Sequence, residues 1–255
     1  MTAGLEVGKD GSPVRAEARA AERHASPRGA SWAALWGVST LAPGAFRRLV
    51  ERPCLGLALV FLLAVGVGTG LVVVPRLDLT PKVEAALTAK LGRPPGDDEL
   101  ALACRVSRLA ANSAAVAVPL ANLAYLWLLA LILGRTAPPS AAATSPRAYF
   151  AVVVHSFLPP ALVEGGLEAW LAVRRGSWAA GEPLLRANLA AWLDPDAPPL
   201  LLAATSSLDL FDLAWAGLLT WGLVEGAGLA PRRAGFTAAA AVGAVVLVRL
   251  LLRLW

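Results

Sequence analysis

The chain has 255 residues, of which 57% are hydrophobic and only 16% charged, with a formal net charge of +5. Its mean hydropathy is +0.61 and its pI about 9.9. A soluble domain carries about 25% charged residues and could not keep this much apolar surface out of water. The basic balance therefore points to flanks facing anionic lipid headgroups. No basic stripe interleaved with aromatics is present, so nucleic acid is excluded as a partner.

In chain order, residues 1–30 are rich in Ala, Arg and Glu and poor in apolar residues, and are expected to form a disordered cytoplasmic tail. Residues 31–52 change character. Trp32, Leu35 and Trp36 fall at i, i+3 and i+4, and Phe46, Leu49 and Val50 repeat that spacing after Pro43. With Arg47, Arg48 and Arg52 among them, this reads as an amphipathic segment in the headgroup region, anchored by Trp32, Trp36, Phe46, Arg47 and Arg48.

Residues 53–255 hold five apolar runs, at about 54–75, 113–134, 148–173, 208–229 and 233–255. A hydrocarbon core about 30 Å thick takes about 20 residues of helix, and each run meets that length. The expected fold is all-α: a polytopic membrane protein of five transmembrane helices with short interfacial helices. The first run lies behind a long polar stretch without a small-x-small exit, so it is expected to stay as an anchor.

Between the first two runs, Leu87 and Leu91, then Leu100 and Leu102 beyond Gly92-Arg93-Pro94-Pro95-Gly96, suggest two short helices around a turn. Thr136 to Pro146 is a Pro/Ala/Ser linker. Pro183 opens a stretch with Leu185, Leu189, Trp192 and Leu193 on one helical face, expected to lie on the membrane surface until Pro195. Gly66 and Gly70, and Gly222 and Gly226, form small-xxx-small pairs that read as helix-packing faces. Cys54 and Cys104 flank the first run and are expected to remain reduced, a bilayer apart.

Arginine outnumbers lysine 20 to 3, and Ala, Gly and Pro are abundant. This points to a GC-rich bacterial genome and hence to the plasma membrane. Lys and Arg divide 12 to 11 between inner and outer segments when the N-terminus is inside. Arg232 and Arg233 crowd a short inner turn, whereas the outer loops dilute their bases with acids. That favours a cytoplasmic N-terminus and an outer C-terminus.

Three stretches carry a family resemblance. They are Leu41-Ala42-Pro43-Gly44-Ala45-Phe46-Arg47-Arg48-Leu49-Val50-Glu51-Arg52-Pro53, then His155-Ser156-Phe157-Leu158-Pro159, then Ser207-Leu208-Asp209-Leu210-Phe211 with Trp215 following. In that order, with five spans, the chain resembles bacterial members of the Yip family, named for Ypt/Rab-interacting proteins. The resemblance covers about Leu41 to Trp255 and implies a cytoplasmic N-terminus and a helical bundle. Eukaryotic relatives bind prenylated Rab GTPases in vesicle traffic. A bacterium has no such partner system, so the role does not follow the fold. The Pro/Ala-rich linker and the two glutamates of the third span depart from the family pattern.

Ionisable groups inside spans cost about 2.5–3.5 kcal/mol each on insertion scales and call for partners. Glu164 and Glu168 share one face of the third span, Asp209 and Asp212 open the fourth, and Arg249 and Arg253 lie near the end of the fifth. At 1.5 Å per residue, Glu164, Asp212 and Arg249 all fall about 24–25 Å above the inner face. An intramembrane ionic cluster of Glu164, Glu168, Asp209, Asp212 and Arg249 is therefore expected. It either holds helices in register or, with its excess of carboxylates, serves a proton or cation path. Lower down, His155 and Glu225 could meet, although a backbone carbonyl is the expected partner of His155. Pro159 and Pro160 should kink the third span.

No zincin helix, nucleophile elbow or P-loop is present, so no catalytic residue is assigned. Two distant histidines and no Cys cluster support neither a metal site nor a haem, and no cofactor is expected. The sequence thus reads as a non-enzymatic interaction or membrane-organising protein. Its partners would be the lipid bilayer and other membrane or cytoplasmic proteins. The alternative is a small proton or cation transporter or channel using Glu164, Glu168, Asp209 and Asp212.

Overall fold

The computed structural model describes residues 32–33, 36–136, 145–180, 182, 184–185, 187–188, 190, 193–194 and 198–254, without the side chains of 199–200, 203–204 and 252–254. The expected tail, Leu35, most of the linker, and Pro183, Leu189, Trp192 and Pro195 lie outside these residues, as does the Arg253 side chain.

The described chain is all-α apart from one short pairing. Its helices are α1 (Ala45–Glu51), α2 (Gly56–Val73), α3 (Thr80–Leu91), α4 (Asp97–Thr136), α5 (Pro146–Arg175), α6 (Pro199–Ser206), α7 (Leu210–Glu225) and α8 (Pro231–Leu254). Among the described residues, four helical segments are long and apolar enough to cross a membrane: Gly56–Arg76, Asp97–Thr136, Pro146–Arg175 and Pro231–Leu251. The fourth expected span is α7, whose 16 residues make about 24 Å of helix.

α5 is the axis of the bundle. Of its most apolar window 56% is buried, against 11–22% in the other three long segments. An unbroken run from Ala148 to Ser156 is buried on every side, because α1, α2, α4 and α7 all pack on this helix. The other long helices turn large apolar side chains outward, among them Val60, Leu71, Leu120, Ile132, Phe236 and Leu247. A bundle with its apolar surface turned outward is compatible with a membrane and would be a liability in water.

Close helix approach depends on the glycines singled out above. A Cβ added at Gly66 would lie 2.8 Å from Pro119, and one at Gly70 2.7 Å from Ala115, so α2 and α4 meet almost backbone to backbone. On α7, Gly222 makes room for side chains instead, since an added Cβ would come within 2.8 Å of the Phe46 ring and the Val152 methyl. Small residues are what such contacts need in lipid.

The 77–112 region differs from two short helices around a turn. α3 is the first of them and ends at Gly92 with φ 67. The second does not stop: from Asp97 it continues without a break to Thr136, 40 residues in all. Arg93 and Glu99, 2.8 Å apart, clamp the turn, and Gly96 N–H donates to the same carboxylate. Leu77–Asp78 and Trp178–Ala179 pair as two short parallel strands (β1 and β2), tying the α2–α3 connection to the end of α5. The described residues between 182 and 198 contain no α-helix; Asn188 instead bridges to Asp209.

Phe46 is not an interfacial anchor. It is completely buried, edge-on to Trp221 with ring centroids 5.1 Å apart, and Leu49 is buried beside it. The amphipathic face of α1 thus covers protein, because α5 and α7 offer it a groove lined by Gly222 and Gly226. Trp32 and Trp36 are exposed, as are Arg47 and Arg48. Trp32 lies edge-on to Phe61 at 5.8 Å. α5 continues through Pro159 and Pro160, which remove the N–H donors otherwise bonded to the carbonyls of His155 and Ser156. Cys54 and Cys104 are free thiols.

Candidate functional site

The first turn of α7 organises the polar site. Asp209 is its N-cap and Asp212 its third residue, and each satisfies the other's backbone. Asp212 N–H donates to Asp209 Oδ1 at 2.7 Å, and Asp209 N–H donates to Asp212 Oδ2 at 3.2 Å. This reciprocal cap lets two carboxylates sit beside the exposed N–H groups and positive end of a helix.

Arg249 of α8 reaches into that turn. Its Nη1 lies 2.6 Å from Asp212 Oδ2 and 3.5 Å from Asp209 Oδ2, and donates to Ser207 O at 3.1 Å. The Asp212 side chain is only 7% exposed, so the guanidinium is its principal counter-charge. The structure therefore brings Arg249, Asp209 and Asp212 together in direct contact.

Glu164 and Glu168, one turn apart on α5, stand on the wall of a cavity of about 500 Å³ shared with Asp212 and Arg249. The rest of that wall is mostly apolar and comes from α2, α4, α5 and α7, with Gly66, Pro119, Leu126 and Phe157 among its residues. A smaller cavity of about 120 Å³ is also lined by the glutamates, with Leu185, Asn188, Ser206 and Asp209. Glu164, Glu168 and Phe211 border both spaces. Neither glutamate makes an ion pair or hydrogen bond among the described residues. Among the described residues the site thus holds four carboxylates to one guanidinium, with the guanidinium committed to the aspartates.

His155 and Glu225 make backbone contacts within the bundle. His155 Nδ1–H donates to Ala151 O at 2.9 Å, so the backbone carbonyl is its partner and Glu225 is not. Glu225 instead accepts from the backbone N–H groups of Gly44 and Phe46, the latter at 3.4 Å. It caps α1 from another helix, in place of the side chain that Gly44 lacks. Nothing in the sequence marks that role, since a cap is ordinarily sought next to its helix and here the partner is 181 residues away. Tyr125 OH donating to Ala241 O at 2.7 Å, which links α4 to α8, is equally invisible to local pattern.

No three His, Cys, Asp or Glu side chains among the described residues converge to hold a metal ion. Compared with family models, curated proteins and solved structures, the chain matches none.

Proposed function

We propose that the chain is a five-span, Yip-like protein of a bacterial plasma membrane, acting without catalysis as an interaction or membrane-organising protein. In this reading the N-terminus is cytoplasmic and the C-terminus outside. The observation that carries it is the distribution of apolar surface: a central helix buried on every side from Ala148 to Ser156, among helices whose outer faces are apolar. The three motifs of the resemblance support it through their roles. Leu41–Pro53 supplies the docked helix α1, His155–Pro159 lies in the buried axis, and Ser207–Phe211 makes the reciprocal cap of α7. All three are architecture. The bond from Arg249 to Asp212 then holds α8 against α7, and α7 counts as a span.

The test is a topology map with reporters at both ends and in residues 137–144. Five spans require the two ends on opposite sides, with 137–144 on the side of the N-terminus. Ends on the same side refute the count. Crosslinking in cells would then reveal the partner.

One observation favours a second reading. Glu164 and Glu168 border both cavities without ion-pair partners among the described residues, which suits a proton or cation path. In proteoliposomes, Glu164→Gln would abolish a cation or proton flux while the protein accumulates normally. An unchanged flux, or no flux in the wild type, removes this reading.

A further inference from the structure

The larger cavity has an unusual division of labour. One end presents two carboxylates a turn apart on α5, and most of the remaining wall is apolar. Its volume of about 500 Å³ lies within the range of about 300–1,000 Å³ typical of small-molecule sites.

Three candidate occupants fit poorly. A metal ion would lack the convergent ligand set, which does not exist among the described residues, and would leave the apolar wall uncovered. A neutral acyl chain would cover that wall but leave two carboxylates in an apolar surround without a counter-charge, the costly arrangement. An anion would face an excess of negative charge, because the one guanidinium at the site among the described residues is held at 2.6 Å by Asp212.

We infer that the cavity between α2, α4, α5 and α7 binds an amphiphilic cation. Its ammonium head would sit at Glu164 and Glu168, and its apolar body among Gly66, Pro119, Leu126 and Phe157. The second cavity fits the same picture. The glutamates also border the smaller space beside Asn188 and Ser206, so the head group has a polar approach while the body stays in the bundle. Arg249 confines the free negative charge to the glutamates by occupying the aspartates. The inference goes beyond the proposed function and holds whether the protein moves its ligand or only binds it.

The test uses the full chain in nanodiscs of neutral phosphatidylcholine, titrated with dodecylammonium and corrected for partition into empty discs. The matching probes are dodecanol, which lacks the charge, and methylammonium, which lacks the body. Dodecylammonium is expected to saturate a single site, with dodecanol and methylammonium each at least tenfold weaker. Two variants approach the site from opposite ends. Glu164→Gln with Glu168→Gln removes the charge, and Ala161→Leu, at a small residue of the cavity wall, fills the cavity with both carboxylates intact; each is expected to weaken binding at least tenfold. Dodecanol binding within twofold of dodecylammonium would overturn the inference, as would full affinity in Ala161→Leu or no saturable binding above empty discs. Should the double glutamine variant fail to fold, the wild-type probe series and Ala161→Leu still decide. Binding without flux would leave the site standing and remove only the transport reading.

Discussion

Removing Arg249 tests the ionic joint between α7 and α8. Arg249→Gln would leave the Asp212 carboxylate, 7% exposed, without its counter-charge and beside Asp209 and the glutamates. Breaking a buried pair from one side costs about 3–5 kcal/mol. The Arg249 side chain is itself 39% exposed, and solvent screening lowers this to about 2–3 kcal/mol. Asp212→Asn is the matching change, because the amide oxygen can still accept from Asp209 N–H and keep the cap. Unfolding by SDS titration in mixed micelles would report both singles and the double. If the contact is the joint, the double variant should be less destabilised than the sum of the singles by about 1–2 kcal/mol. Additivity within about 0.5 kcal/mol would refute the reasoning. A charge swap, Asp212→Arg with Arg249→Asp, should fail to restore stability, since arginine has no acceptor to replace the cap.

Gly66→Leu and Gly70→Leu should each cost about 1–3 kcal/mol by forcing α2 off α4, whereas Gly68→Ala, with nothing within 4 Å of an added Cβ, should be neutral or slightly stabilising; the same SDS titration separates them. Phe46→Ala should cost about 3–5 kcal/mol, unlike an exposed anchor. Glu225→Ala should free the Gly44 and Phe46 amides, seen as faster hydrogen exchange at residues 44–46 with little change on α5. In the loop after α2, the Thr80 N–H bonded to Asp78 Oδ1 at 3.0 Å holds the Asp78 carboxyl below its ordinary 3.8. A depressed carboxyl stabilises the fold above its unfolded pKa and loses that contribution as pH falls through the folded value. The Asp78–Thr80 turn should therefore be intact at pH 5, and Asp78 should titrate by NMR with a midpoint below 3.8.

Residue order alone made much of this protein legible. Helix type and approximate bounds follow from the length and apolarity of the runs, because a helix satisfies its own backbone and needs only local sequence to do so. The glycine pairs were readable for a similar reason, since only a missing side chain permits such close contact. Helical rise on alternating spans was enough to place Arg249 near Asp212. Where sequence reasoning stopped was in telling one apolar environment from another. Phe46 and Trp36 belong to the same pattern, yet Phe46 is fully buried and Trp36 is 65% exposed, because only one of them faces the groove made by α5 and α7. Periodicity marks a face as apolar without saying what covers it.

The sequence by itself therefore determined an all-α chain with several helices able to cross a membrane, a polar layer near one end of them, and glycine faces ready to pack. Tertiary structure decided that α5 is the axis, that α1 docks on protein, and that Glu225 caps a helix 181 residues away. It also decided that Arg249 is held by the aspartates while the glutamates face a cavity. The division has a physical cause. Helix formation depends on neighbours in the chain, whereas burial, charge pairing and empty space depend on which helices meet, and that is set by close packing of the whole bundle.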